Sequence, residues 1–360
     1  MSNTRVNDSS EINDIRSTNH FKGVSFSNFK KLEVRNQYMA AMKRGKIEPA
    51  CYWCAELVCA GHYSDVWETI LHFMAKHIHL GNPKLVVYLE RRFCIFRNIV
   101  SQEHLLNELQ LRNQNNIRKM FAEITTILCM STKKPSIEPV KINRVEEFDI
   151  TQMTDRLKAP SVHYVDDIFL SKDPKELMIP MNEFAYNISP DCKNMVSACY
   201  WIEWTIEFEL ICRKRREPCV CVSRLDYNID RKYSTDVIWV IWDVLLHYSN
   251  KLDDPFITAI MNSLVDLFSI KYTQGTPKKR RYLLYFAVSL LTENVPRNIE
   301  IVDDKITVYN VMEQINEVYK QIRKNQVSPG TDYLFEGLND DNNFEKTLEK
   351  MEQMNQMMNL

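Results

Sequence analysis

The chain has 360 residues, with 46 Lys+Arg against 47 Asp+Glu and a net charge of −1, so no global field draws it to nucleic acid or to an anionic membrane. It contains only 7 glycines, where average usage would give roughly 25. That shortage argues against parallel α/β enzymes, whose βα turns and phosphate loops need glycine, and against Greek-key sheets, and it favours a helical chain.

Residues 1–28 read as a disordered arm, since the first 22 are rich in Ser, Asn, Asp and Thr and show no signal-peptide pattern. A first helical module follows over 29–131. In it Val66, Trp67, Ile70, Leu71, Met74 and Ile78 form one apolar stripe at helical spacing. Asp65, with Glu68 three residues later, suggests a capping box for that helix, and Pro83 suggests the start of the next. Residues 132–186 change character. Pro135, Pro139, Pro160, Pro174 and Pro180 interrupt them, which predicts an irregular crossover with room for short strands. A second helical module spans 187–294. A C-terminal helix within 295–330 covers about 308–324. Residues 331–360 carry seven acids and two lysines and read as an acidic disordered tail. The longest apolar runs, 237–246 and 282–291, fall well short of the ~20 residues a membrane span needs. Scattered cysteines inside apolar segments read as reduced thiols of a cytosolic protein.

The two modules look related. Ala50-Cys51-Tyr52-Trp53 recurs as Ala198-Cys199-Tyr200-Trp201, and WETILHF (67–73) pairs in order with WDVLLHY (242–248). Pro83 and Pro255 follow, then Phe121-Ala122 and Phe286-Ala287. All six tryptophans lie in these modules. Trp53, Trp67, Trp201 and Trp242 are the expected repeat core, because each buries ~150–250 Å². The fold expected is therefore mainly α, with two tandem related helical modules. The second copy has 27 more residues between its matched helices. First-copy joints hold Gly45, Gly61 and Gly81, whereas the second uses Lys193, a basic insert and Asp253.

Two resemblances attach to these motifs. PACYWCAELVCAGHYSDVWETILHFMAKHIHLGNPKL (49–85) resembles the helical collar of clamp-loader-like AAA+ ATPases, which implies oligomerisation. No G-x-x-x-x-G-K-[ST] accompanies it, so the ATP module of that family is missing. ACYWIEWTIEFEL (198–210) with DVIWVIWDVLL (236–246) resembles an uncharacterised family shared by nucleocytoplasmic large DNA viruses. That resemblance implies the viral factory in the host cytoplasm, with virion packaging open, and brings no catalytic residues.

Three groups of residues are candidates for chemistry. Glu68/His72 and Asp243/His247 repeat an i,i+4 carboxylate–histidine pair. On one helix face each would be a structural pair, or, if the modules met about a pseudo-twofold axis, the four would offer an N/O metal site. Cys51-x-x-Cys54 lies in a predicted helix, and Ile202 replaces the second cysteine in the other copy, which favours packing over redox or zinc chemistry. Arg213, Lys214, Arg215, Arg216, Arg231 and Lys232 of the insert, with Lys278, Lys279, Arg280 and Arg281, form basic clusters suited to a phosphate backbone or to a hydrated face. No dinucleotide, hydrolase or zinc-protease motif is present. The sequence thus predicts no catalytic residue, cofactor or metal, and no membrane. The expected function is a non-enzymatic interaction or oligomerisation protein with protein partners or self-association. A nucleic-acid-binding replication accessory is the alternative.

Overall fold

The computed structural model describes residues 10–102, 109–144, 148, 154–217, 219–224, 227 and 229–327. The protein is mainly α, with twelve helices and no strand among the described residues. The tail at 331–360 lies outside the described residues.

The first half holds α1 (Lys31–Lys43), α2 (Ile47–Cys59), α3 (Tyr63–Phe73), α4 (Leu85–Gln102) and α5 (Asn115–Met130). α1 packs on α2, α3 and α5, and α2 packs on α3 and α5. The second half holds α6 (Met178–Ile188), α7 (Met195–Arg215), α8 (Ile238–Lys251), α9 (Pro255–Ser269), the single turn α10 (Thr276–Lys279) and α11 (Arg281–Thr292). α6 packs on α7, α8 and α11, and α7 packs on α8 and α11. α8 is the buried centre of this half, with Trp239 and Trp242 fully enclosed.

The halves share one core. α4 crosses to pack on α9, and α11 packs on α3 and on the π-helical turn Met74–Ile78. The last helix among the described residues, α12 (Lys305–Arg323), returns to the first half and packs on α5 and α2. A π-turn leaves carbonyls without regular partners. Here the crossover supplies them: Ser136 N donates to the Lys76 carbonyl (2.8 Å) and Lys134 N to that of Ile78 (3.3 Å). Gly81 is required at the same place, because a Cβ there would sit 2.3 Å from the Thr132 carbonyl oxygen.

Several expectations need correction. The arm drawn over 1–28 is packed from Ser10 onward, with Ile12, Phe21 and Phe26 in the core. Buried Glu56 of α2 holds it by accepting from Ser25 Oγ (2.8 Å) and Ser27 N (3.0 Å). The crossover of 132–186 contains most of α6 and no strand among its described residues. Asp65 does not cap α3. It lies inside the first turn and pairs with Lys31 (2.9 Å) and Arg35 (3.3 Å) of α1.

Two of the three joints differ in residue type but not in backbone. Gly61 after α2 has φ +78°, and Arg216 after α7 has φ +60°. At both, the next amide donates back five residues, His62 to Leu57 and Glu217 to Cys212, the closure of a Schellman motif. Gly45 (φ +67°) before α2 has its counterpart in Lys193 (φ +50°) before α7.

Candidate functional site: the cleft between the halves

The two carboxylate–histidine pairs are something else in the structure. Glu68 of α3 accepts from Arg280 of the second half, with Arg280 Nε 3.1 Å from Oε1. Lys279 approaches the same oxygen at 3.3 Å. Burial alone would raise the Glu68 carboxyl, but the Arg280 hydrogen bond and the two cations hold it below the usual range. Arg280 also donates Nη1 to the carbonyls of Phe268 and Ile270, both at 2.7 Å, and so closes the C-terminal end of α9. His72 packs edge-on to Tyr282 at 5.3 Å.

Asp243 repeats the arrangement with a different arginine. Arg224 Nε donates to Asp243 Oδ2 (2.8 Å), and its other nitrogens form a fork with buried Asp173 (2.8 Å each). Tyr227 Oη donates to Asp243 Oδ1 (2.6 Å). Arg224 therefore ties the insert, the crossover and α8 together. His247 faces Asp167 instead, at 3.9 Å. The four side chains do not converge, and no group of three or more His, Cys, Asp or Glu among the described residues could hold a metal. Cys51 and Cys54 are buried in α2, and burial pushes both thiols up, Cys54 to about 11, which makes them packing residues rather than nucleophiles.

The basic clusters divide. Arg213 pairs with Glu209 (2.5 Å), Lys278 faces Glu207 (3.9 Å), Arg281 pairs with buried Glu203 (2.9 Å) and Lys232 with Asp230 (3.4 Å). With Lys279 and Arg280 on Glu68, six of the ten cations are matched by carboxylates. Lys214, Arg215, Arg216 and Arg231 are exposed and have no carboxylate partner among the described residues. Arg213, Lys278 and Lys279 do come together, across a shallow groove where α7 meets the 274–279 turn. Of the repeat tryptophans, Trp67, Trp201 and Trp242 are buried, whereas Trp53 is half-buried with its ring edge-on to Phe29 at 5.6 Å.

One concavity was not anticipated by any motif. It is a cleft of about 910 Å³ between α3, α4 and the α9–α10 connection. It opens because α4 leaves α3 to pack on α9, whereas the corresponding α8 and α9 of the second half pack directly. Its aromatic wall is Trp67, with Phe93 edge-on at 5.1 Å and Phe96 at 5.8 Å. Exposed Val100 continues that wall to the rim. Glu90 of α4 and Asp266 of α9 face each other at the seam between these helices. Partial burial and then the Glu90 charge push the Asp266 carboxyl up, against the pull of Arg97. Cys94 donates to Glu90 Oε1 at 3.0 Å. Lys271 also lines the cleft, with Lys279 beside Glu68 of α3. The cleft thus joins an apolar wall to charges of both signs. No family model, curated protein or solved structure matches the chain.

Proposed function

We propose that this protein acts by binding rather than by catalysis, as an interaction or oligomerisation protein in a replication or assembly complex of a large DNA virus, at the viral factory in the host cytoplasm. The observation that carries the reading is the cleft, an open, aromatic-walled space at the junction of the halves, the usual place and size for a binding site. The viral setting rests on the motifs at 198–210 and 236–246, and the self-association variant rests on the collar-like segment 49–85. The reading of the halves as tandem copies draws support from their packing. The contacts of α1 with α2, α3 and α5 and of α2 with α3 and α5 recur as those of α6 with α7, α8 and α11 and of α7 with α8 and α11, and the matched α4 and α9 pack on each other.

The test is an affinity pull-down from infected cells with the wild type and Val100→Glu, each with and without nuclease. Val100 is at the rim and outside the core, so the fold should survive. Nuclease-resistant partners retained by the wild type and lost by the variant are expected. Identical partner sets would overturn the reading. Light scattering across a concentration series then separates self-association from recruitment of another protein.

A second reading, nucleic-acid binding at the far end of α7, is favoured by one observation. Arg216 and Lys271 are exposed cations held in left-handed backbone, at φ +60° and +43°. That conformation costs a non-glycine residue about 1–2 kcal/mol, so a charge is kept where glycine would be more stable. Arg216→Gly should stabilise the fold by about 1 kcal/mol while lowering the salt slope of DNA binding by about one unit. A slope unchanged by the substitution would remove this reading.

A further inference from the structure

We propose that a small cavity beside Asn82 binds one monovalent cation of about potassium's size. It shares no lining residue with the cleft and stands independently of the function proposed above.

The cavity lies where three segments meet: the turn at 79–82, the exit of α5 and the stretch 299–303 that leads into α12. Asn82, Met130, Ser131, Thr132, Ile301 and Asp303 are among its walls. Its volume is about 10 Å³, room for a single water-sized occupant. The turn is pressed against the α5 exit, since a Cβ on Gly81 would meet the Thr132 carbonyl oxygen.

Asn82 carries the argument. The residue is 3% exposed. Its Nδ2 donates to the Glu300 carbonyl (2.9 Å), which fixes which end of the amide is the oxygen. That Oδ1 is buried and has no hydrogen-bond partner among the described residues. A buried acceptor of this kind calls for a partner. The groups around it also have lone pairs to offer. Ser131 Oγ commits its hydrogen to the Ile127 carbonyl (2.7 Å). Asp303 brings a carboxylate. α5 ends at Met130, with the negative pole of its dipole, and the Lys133 ammonium already donates to the Cys129 carbonyl at that end.

A water has two hydrogens and could meet two of these oxygens. A cation is attracted by all of them, because hard cations take amide, hydroxyl, carbonyl and carboxylate oxygen. A divalent ion is disfavoured, since Asp303 is the one carboxylate among the lining residues and Lys84 and Lys305 stand at the neighbouring hollow. A single charge of about water's size suits both the space and the balance. The ion also ties the turn and α5 to the start of α12, where Asp304, next to Asp303, caps the helix by accepting from Thr307 N (3.0 Å).

The experiment follows the urea midpoint of the full chain as potassium chloride replaces choline chloride at constant ionic strength. The midpoint should rise and level off, as for a ligand that binds only the folded state. Asp303→Asn, at an exposed position, should fold and should need about tenfold more potassium for half the rise, the effect of losing one charge-assisted contact. Asn82→Ala should start from a lower midpoint and be indifferent to potassium. Crystals grown in rubidium chloride should show an anomalous peak in contact with Asn82 Oδ1. Equal midpoints in potassium and choline, or a water without anomalous signal at that place, would overturn the proposal. A rise that persists unchanged in both variants would put the ion elsewhere and overturn it too.

Discussion

Lys193 and Asp253 both occupy left-handed backbone, each at φ +50°. Neither faces a chemical task in the structure, so glycine at either place should stabilise the protein by about 1 kcal/mol, read as a higher urea midpoint at unchanged slope. The reverse holds at Gly81, where alanine would drive Cβ against the Thr132 carbonyl. Gly81→Ala should lower the midpoint. Arg280 is the residue whose loss matters most. Arg280→Met leaves the Glu68 carboxylate in a largely buried site and uncovers the carbonyls ending α9. Breaking a buried pair from one side costs about 3–5 kcal/mol, and Glu68→Gln/Arg280→Met should recover part of it in a double-mutant cycle. The two joints could be anticipated, since Lys193 and Asp253 stand where the first copy has glycine or a glycine-marked turn. The arginine partners could not. Arg280 lies 212 residues from Glu68, and the local i,i+4 spacing pointed to His72 instead.

At the scale of elements, periodicity revealed those helices whose buried face is regular, such as α3, α9 and α12. It missed α6 because Pro180 read as a breaker. Proline is tolerated in a first turn, where its absent amide has no helical partner, and Pro180 is the third residue of α6. It missed the packed arm because Ile12, Phe21 and Phe26 have no common period and their segment is held by Glu56, Arg112 and Arg118 from other elements. The π-turn gives an element-scale prediction. His79 is buried with its ring stacked on Phe286 (4.7 Å), and burial holds it down to about 4. Burial and the charges of Lys43, His72 and Lys76 hold His77 at about 4 as well. Both native values lie below the unfolded value of about 6.5. The unfolded chain therefore binds more protons across that interval, and stability present above pH 6.5 should be lost as pH falls toward 4. Urea midpoints between pH 7 and 4.5 check this, and His79→Asn, which tolerates the left-handed φ of +48°, should flatten the dependence. An equally steep fall in that variant would assign the effect to other groups.

At the scale of the molecule, the boundary drawn in sequence between two modules is not a boundary in the core. α4 belongs to the first half by order and to the interface by packing, and the cleft is the space that crossing leaves. Composition and helix spacing could announce a helical protein in two parts. They carried no information on the direction in which α4 leaves α3, because its apolar stripe fits either neighbour. α12 gives the matching prediction. It covers α5 and α2, buries Tyr319 and Ile322, and sets Tyr319 4.1 Å beneath the buried guanidinium of Arg118. A chain ending at Asp303 should lose at least about 3 kcal/mol, the range for removing large buried side chains, and should unfold over a broad transition. A sharp transition at the wild-type midpoint would show α12 to be dispensable.

The return of α12 also fixes a timetable. Its partners α2 and α5 emerge from the ribosome early, and about 175 further residues must be made before it appears, some 10–35 s at ordinary elongation rates. During that interval the face of α5 awaiting Ile315, Tyr319 and Ile322 is bare apolar surface on a nascent chain. The first half therefore completes its core only once α12 has been made.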